Sequence, residues 1–419
     1  MNTTRFELDL RLFDTQTTLL NTAGNDLSPE MKTYYDKNLL FEASPNLVHD
    51  QFGQKRPIPK RGGKQIEFRK FSALPKAMKP ITEGGTPPGN KLNVTAITAK
   101  VDQYGDYIEQ SDVLELTAID NTIVEATKLL GSQAGRTLDT VVRNEIVGGS
   151  NVIYGAKNGT RASYRHELTK DHIITLDDIF DAAAELKSEN APKIDGSYVA
   201  IIHPHVSRDL MIGAKDSGSW MDVNKYENAV NIFEGEIGKL GGVRFVETTE
   251  AKIFRGEDLT AGARSLTVKT AVTTNATVTV KEAITDADAE ALAGRDVIVG
   301  GSVYGVISAT AGAANAASIT LDAAVTAAAD DTVSPGEGGA GGCAVYATLV
   351  LGDNAYGVTE VEGGGLQTIV KPLGYGADPL NQRSSVGWKG MKVSKRLAEE
   401  YMVRLETGSY RSDDVEGNE

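Results

Sequence analysis

Cysteine is nearly absent: Cys343 stands alone among 419 residues. One thiol makes no intrachain disulfide and leaves no cysteine cluster for a metal, the usage of a reducing compartment. Histidine is scarce, with five, and aromatics make up 6% of the chain, which argues against one compact aromatic core. No apolar run approaches the ~20 residues of a membrane span. Nor does Met1-Asn2-Thr3-Thr4-Arg5-Phe6 lead from a basic patch into an apolar run. No membrane partner and no signal peptide are expected, and synthesis in the cytoplasm is.

The signatures of catalysis are missing as well. There is no H-E-x-x-H, no G-x-S-x-G and no P-loop, and Gly238-Lys239-Leu240-Gly241-Gly242 has neither the spacing nor the following Ser or Thr of a phosphate cradle. His203-Pro204-His205 places two imidazoles together, but a metal would need Asp209 or distant carboxylates. A satisfied structural pair is the simpler reading. The expectation is no enzyme, no metal and no cofactor.

What the chain does have is glycine, 44 residues, and acid, with a net charge of −14. The exception to the acidity is local: Lys55 to Lys100 carries net +9 over 46 residues. It reads as a solvated face, as an extended basic arm lying on acidic neighbours, or as a DNA patch. The last lacks a recognition helix and has only Phe68 and Phe71 to stack on bases. Gln65–Arg69 alternates at period two, as does Leu92–Val101, around a turn-rich tip at Pro80–Gly89. This predicts a long hairpin over 54–100. An isolated two-stranded ribbon is marginal alone, so it needs another surface. Lys60, Arg61, Lys64, Arg69, Lys70, Lys76 and Lys79 are the candidate contacts between subunits.

Before the hairpin, 1–25 is polar with Phe6, Leu8, Leu10, Leu12 and Phe13 in near alternation, an arm that orders against a partner. Ser28-Pro29 opens a helix with Met31, Tyr34, Tyr35, Leu39 and Leu40 on its face. After it, apolar residues recur every three or four positions from Leu116 to Val142 without proline. They predict a rod-like helix over 116–147, stopped by Gly148-Gly149. Then come a helix at 179–188, a buried strand at 198–202, a short helix at 205–212 and a glycine-rich approach to a strand within 235–249. This is an α+β pattern.

Composition changes at Gly262. Up to Val345 there is no Phe or Trp and one Tyr, Tyr304, with a net charge of −5. Strands at 265–272, 276–281, 296–310 and 318–321 suggest an inserted β-rich domain on flexible joints; long strands and loops of the parent domain are the alternative. The chain returns with a strand at 344–351 and another at 367–372. Lys395–Glu406 has Leu397, Tyr401 and Leu405 four apart, and the acidic end around Asp413–Glu416 reads as mobile.

This order of parts resembles the major capsid proteins of tailed bacteriophages, of the HK97 type, and more narrowly the family related to the phage N4 coat protein. The resemblance is carried by Thr33–Leu40, Gly62–Phe71, Leu74-Pro75, Thr82–Gly84, Gln103–Tyr107, Gly357-Val358 and Lys371–Gly374. It covers nearly all of the chain except roughly 262–345. It implies an HK97-like capsid fold with an N-terminal arm (1–53), an E-loop hairpin (54–100) reaching over a neighbouring subunit, and a peripheral domain (101–189) holding the spine helix. An axial domain (190–261), the inserted domain (262–345), a return to both domains (346–408) and an acidic tail (409–419) would follow. It also implies an icosahedral shell of pentamers and hexamers around double-stranded DNA, with non-specific DNA contact. Scaffolding, portal and decoration proteins would be partners. The virion would be its location, after synthesis in the bacterial host cytoplasm. Removing 56–90 is then expected to leave a folded subunit poor in assembly. A surface-layer or adhesin-like structural protein is the rival from another class, and a hydrolase built around His203 and His205 a third.

Overall fold

The computed structural model describes residues 48–71, 89–117, 122–214, 236–362, 366–371 and 382–418. It also describes the two-residue strands Thr17–Thr18 and Met221–Asp222, and isolated positions at 74–84 and 380. The helix expected after Pro29 lies outside the described residues. The chain divides into two compact units, one of residues 1–47, 55–142 and 357–395, the other of 48–54, 143–356 and 396–419.

The first unit is organised by the strand Arg383–Arg396, which pairs antiparallel with Asp102–Ser111, Trp388 opposite Asp106. Thr17–Thr18 lies beyond Asp102–Ser111, and Tyr356–Glu360 and Gln54–Lys55 lie on the other side. Period-two alternation buries Ser384, Val386, Trp388, Gly390 and Lys392 on one face. Against that face packs the helix Thr122–Val147, whose Leu130 and Ala134 cluster with Val386 and Trp388. Gln133 fixes the contact by accepting from Trp388 Nε1 at 3.3 Å and donating to Asp106 at 2.7 Å.

The helix forms because Ala126, Leu130, Ala134, Leu138, Val142 and Ile146, each four residues on, make one buried stripe. Its 26 residues span about 39 Å. Of the run expected at 116–147, residues 122–147 are this helix and 116–117 belong to the helix Asp112–Thr117; 118–121 lie outside the described residues. Ser111 Oγ accepts from the Leu114 amide at 3.2 Å, an N-cap that starts the first helix early.

The second unit is built on an eight-stranded sheet. Its order is Met221–Asp222, Glu236–Leu240, Val243–Glu247, Tyr198–Ile202, Val345–Leu351, Met402–Thr407, Val152–Tyr154, with Ile253–Phe254 also on Val345–Leu351. Tyr198–Ile202 and Val345–Leu351 are buried throughout, which explains why both are apolar but for Thr348. Helices Leu176–Ser188 and Pro204–Ala214 supply Ile179, Leu186, Val206 and Leu210 to the same core. Thr175 caps the first in a capping box with Asp178. The four-residue spacing of Leu397, Tyr401 and Leu405 does not make a helix. Met402–Thr407 is a strand because Val403 and Leu405 alternate into the sheet core. Nor does the acidic end stand free. Asp413 pairs with Lys170 at 3.0 Å, Arg255 donates to the Val415 carbonyl, and Asn418 bonds the Ala251 carbonyl and the Ile253 amide.

Between Leu266 and Pro335 six strands form a separate sheet in the order Leu266–Thr267, Thr332–Pro335, Asp296–Val299, Ser302–Thr310, Ser318–Ala327, Val272–Thr279. It closes on itself. Lys269 donates to the Thr279 carbonyl at 2.8 Å and Lys281 to that of Thr267 at 2.9 Å, joining the first strand to the last around a Val268–Val280 bridge. Leu266, Val278, Val297, Val306, Leu321 and Val333 fill its own core. The run expected at 296–310 is a hairpin, because Gly300 and Gly301 take φ of 58° and 78° to turn it. A helix, Asp286–Leu292, was not legible in the alanine-rich stretch; its Leu292 packs into the core.

The second unit also contains a buried ionic knot. Glu406, fully buried, accepts two bonds from Arg165 at 2.7 and 2.6 Å and one from Arg404 at 2.7 Å. Arg404 in turn donates to the carbonyls of Val147 and Gly149 at the end of the long helix. Both guanidinium groups flank the Phe254 ring. Removing one partner leaves a buried charge uncompensated. Glu406→Gln or Arg404→Ala is therefore expected to cost about 3–5 kcal/mol, measured as a shift in guanidinium-induced unfolding.

Candidate assembly surfaces

The hairpin is built as strands Gln65–Phe71 and Val94–Lys100, in antiparallel register from Gln65–Lys100 to Phe71–Val94. Alternation gives it two faces. Ile66, Phe68 and Lys70 lie on one with Ile97 and Ala99; Glu67 and Arg69 lie on the other with Thr98 and Ala96. Phe68 and Ala99 are buried, so the ribbon has a small apolar footing at its base. Among the described residues nothing similar supports its outer part, where Leu74, Met78, Leu92 and Val94 are exposed. The chain before the ribbon is tied down. Ile58 is buried, and its amide donates to the Glu360 carbonyl at 2.8 Å.

The basic residues picked out in the sequence are therefore not one patch. Lys60, Arg61 and Lys64 are exposed in the approach to the ribbon, and Arg61 takes φ 67°. Arg69 is exposed and pairs with Glu67 at 2.9 Å, a surface pair worth about 0–1 kcal/mol. Lys70, half-buried, points to the opposite face. Lys76 is exposed near the tip, and Lys79 lies outside the described residues. Charge counting overlooked the exposed Leu74, Met78 and Leu92. Their signal was large apolar side chains in a polar, turn-rich stretch.

The histidine pair is spoken for. His205 Nδ1 lies 2.9 Å from the Tyr346 hydroxyl, and His203 Nδ1 accepts the His205 amide at 3.2 Å. The rings of His203, His205, Tyr346 and Tyr410 pack edge to face or tilted, with centroids 4.6–5.9 Å apart. Asp209 does not turn to them; it accepts from Ser409 Oγ at 2.8 Å and pairs with Arg208. Among the described residues no group of three or more His, Cys, Asp or Glu could hold a metal ion. Cys343 is buried with its thiol against the Leu168 carbonyl, and burial pushes its pKa up to about 11, the opposite of an activated nucleophile. No described helix is long and apolar enough to cross a membrane.

A cleft of about 690 Å³ in the second unit is lined by Lys252, Arg255, Arg295, Glu257, Asp296 and Glu337, with charges of both signs and no catalytic pairing. Among the described residues, the exposed surfaces of the ribbon are the feature that calls for a partner. Residues 112–372, more than half the chain, match the family described as phage capsid protein. The chain belongs to the phage capsid protein family. No curated protein matches this sequence. Among solved structures, the capsid protein is similar to "Capsid of Ralstonia phage GP4" (TM-score 0.55, 12% identity, covering 98% of this chain and 100% of that one). It is also similar to "Cyanophage Pam1 capsid asymmetric unit" (TM-score 0.50, 14% identity, covering 94% and 99%). At such identities they speak for the fold, which is the HK97-like capsid fold. The capsid protein is a shell-forming structural subunit of the virion, and the surface-layer and hydrolase readings fall away.

The aromatic nest around His203 makes the fold acid-sensitive. Burial, and secondarily His205, lower the His203 pKa from 6.5 to about 4. The charged groups near it are Asp209 and Arg411, which act on His205 and Tyr346. Between those pKa values the unfolded chain binds the extra proton. This contribution is thus complete above pH 6.5 and lost as pH falls toward 4, about 3 kcal/mol in all. Unfolding titrations of the free subunit at pH 7 and pH 4.5 should show the loss. His203→Asn, whose Oδ1 can accept the His205 amide, should reduce it.

Proposed function

We propose that the capsid protein assembles as pentamers and hexamers into an icosahedral shell around double-stranded phage DNA, with the hairpin as the E-loop reaching over a neighbouring subunit. One observation carries this reading: the ribbon has an apolar footing at its base, while Leu74, Met78 and Leu92 stand exposed beyond it. Burying such side chains on a neighbour gains roughly 1.5–3 kcal/mol each, more than the exposed ion pairs supply. The charge of the hairpin steers the approach to an acidic subunit.

The rest of the plan accords with this. The arm is 1–53 and the spine helix belongs to the peripheral domain of 101–189. The axial domain spans 190–261, the insertion 262–345 and the return 346–408, ending in the acidic tail. Membership of the N4 coat-protein-like branch rests on phrases such as Gly62–Phe71 and Lys371–Gly374. The subunit performs no catalysis, is made in the host cytoplasm, and works with scaffolding, portal and decoration proteins. Its inner face meets DNA through general electrostatics, without base reading.

The test is a shortened hairpin. Cutting 56–90 would remove the buried Ile58 and confuse folding with assembly. Replacing residues 72–93 by Asn-Gly keeps Phe71 opposite Val94 across a two-residue turn. The expected product is a folded subunit, unchanged in thermal unfolding, that sediments as small species and not as shells. Normal shells from this variant would reject the proposal.

A further inference from the structure

The outer face of the closed barrel carries a surface of unusual pattern. Along Ser302–Thr310, Tyr304 and Val306 turn toward the core. Val303 and Ile307 turn outward and are 43% and 63% exposed. Between them lies Gly305, and a Cβ placed there would stand 3.2 Å from Asp322 Oδ2 and 3.7 Å from Asp296 Oδ1. Both carboxylates are exposed, and neither has an ion-pair partner among the described residues. The strand thus displays apolar, acidic, apolar at two-residue steps of about 6.7 Å. The missing side chain at Gly305 leaves a seat between two carboxylates. The strand is paired on both sides, with Asp296–Val299 and Ser318–Ala327, so only side chains can be recognised here.

A complementary pattern stands among the described residues of the exposed hairpin: Leu74, Lys76 and Met78, apolar, basic, apolar at alternate positions. Leu74 is 53% and Met78 81% exposed. The Met78 amide is spent on the Lys76 carbonyl at 3.0 Å, a one-residue turn that sets Lys76 and Met78 closer than an extended step, so this segment also offers side chains and not a strand edge. We infer that the hairpin tip of a second copy docks on this face, Lys76 seated over Gly305 between Asp296 and Asp322, with Leu74 and Met78 against Val303 and Ile307. This rests on the reading of the hairpin as the arm that reaches a neighbouring subunit. It adds the barrel as a surface that receives it. The charges match where it matters: the hairpin is the basic segment and the insertion is net −5, so approach is attractive and the buried lysine is paired on arrival.

The experiment uses full-length subunits carrying Lys76→Glu, Asp322→Lys, or both. All the positions are exposed, so thermal unfolding of the free subunit should not move. Each single variant is expected to lower the yield of sedimenting shells about tenfold, and the charge swap to restore most of it. In parallel, Lys76→Cys with Asp322→Cys, oxidised after assembly, should give a ladder of covalent oligomers on a denaturing gel, because the native Cys343 is buried and takes no part. No rescue by the swap together with no ladder between chains overturns the contact. Normal shells from both single variants, while the Asn-Gly hairpin variant fails to assemble, would also overturn it and leave the hairpin's role standing.

Discussion

The second unit depends on one buried carboxylate. Glu406 sits at no exposure between two guanidinium groups, and one of them, that of Arg404, caps the carbonyl end of the long helix. Burying the Glu406 carboxylate is costly, and it is offset only because two part-buried guanidinium groups hold it in good geometry. Arg165 takes both carboxylate oxygens in a fork and stacks over Phe254 at 3.5 Å. A point contact of this kind ties together a helix terminus, a central strand and the loop before Leu168. Apolar packing alone would leave their relative positions adjustable. A subunit whose surfaces must match those of identical neighbours needs that definition.

The hairpin shows the opposite economy. Its base is anchored by Phe68 and Ala99, its approach by Ile58, and beyond Phe71 the described side chains are exposed. The protein concentrates definition where the fold must be single-valued. It leaves exposed the part that the proposed assembly would bury on another chain. In that proposal charge on the ribbon has a modest role: it would raise the rate and selectivity of encounter, while apolar side chains near the tip would supply the affinity.

Much of this architecture is legible in the amino-acid sequence alone. Tyr198–Ile202 is an unbroken apolar run, and it is a central strand with helices over it. The i, i+4 stripe from Ala126 to Ile146 is a helix. What escaped depends on partners distant in sequence. Leu397, Tyr401 and Leu405 obey a helical spacing, yet Met402–Thr407 pairs with Val345–Leu351, some fifty residues back, and tertiary pairing overrides local period. The acidic end reads as solvated until Asn418 is seen to make both side-chain bonds to the Ala251–Ile253 backbone. Of the basic residues proposed as contacts, Arg69 and Lys70 were grouped by charge, although the period-two pattern already sends them to opposite faces.

Closure of the six-stranded sheet suits a subunit of a crowded array. In a shell every subunit meets copies of itself at high local concentration, and an open edge strand would pair with the same edge on the next copy. Joining Leu266–Lys269 to Thr279–Lys281 removes that edge at the cost of two short connections. The bulges around Asn275 and Ile307 add twist where the strands must bend to close. With backbone pairing exhausted internally, anything the barrel binds must be recognised through side chains. Its exposed Val303 and Ile307, set either side of two carboxylates, then stand out as the feature that closure leaves for a partner to read.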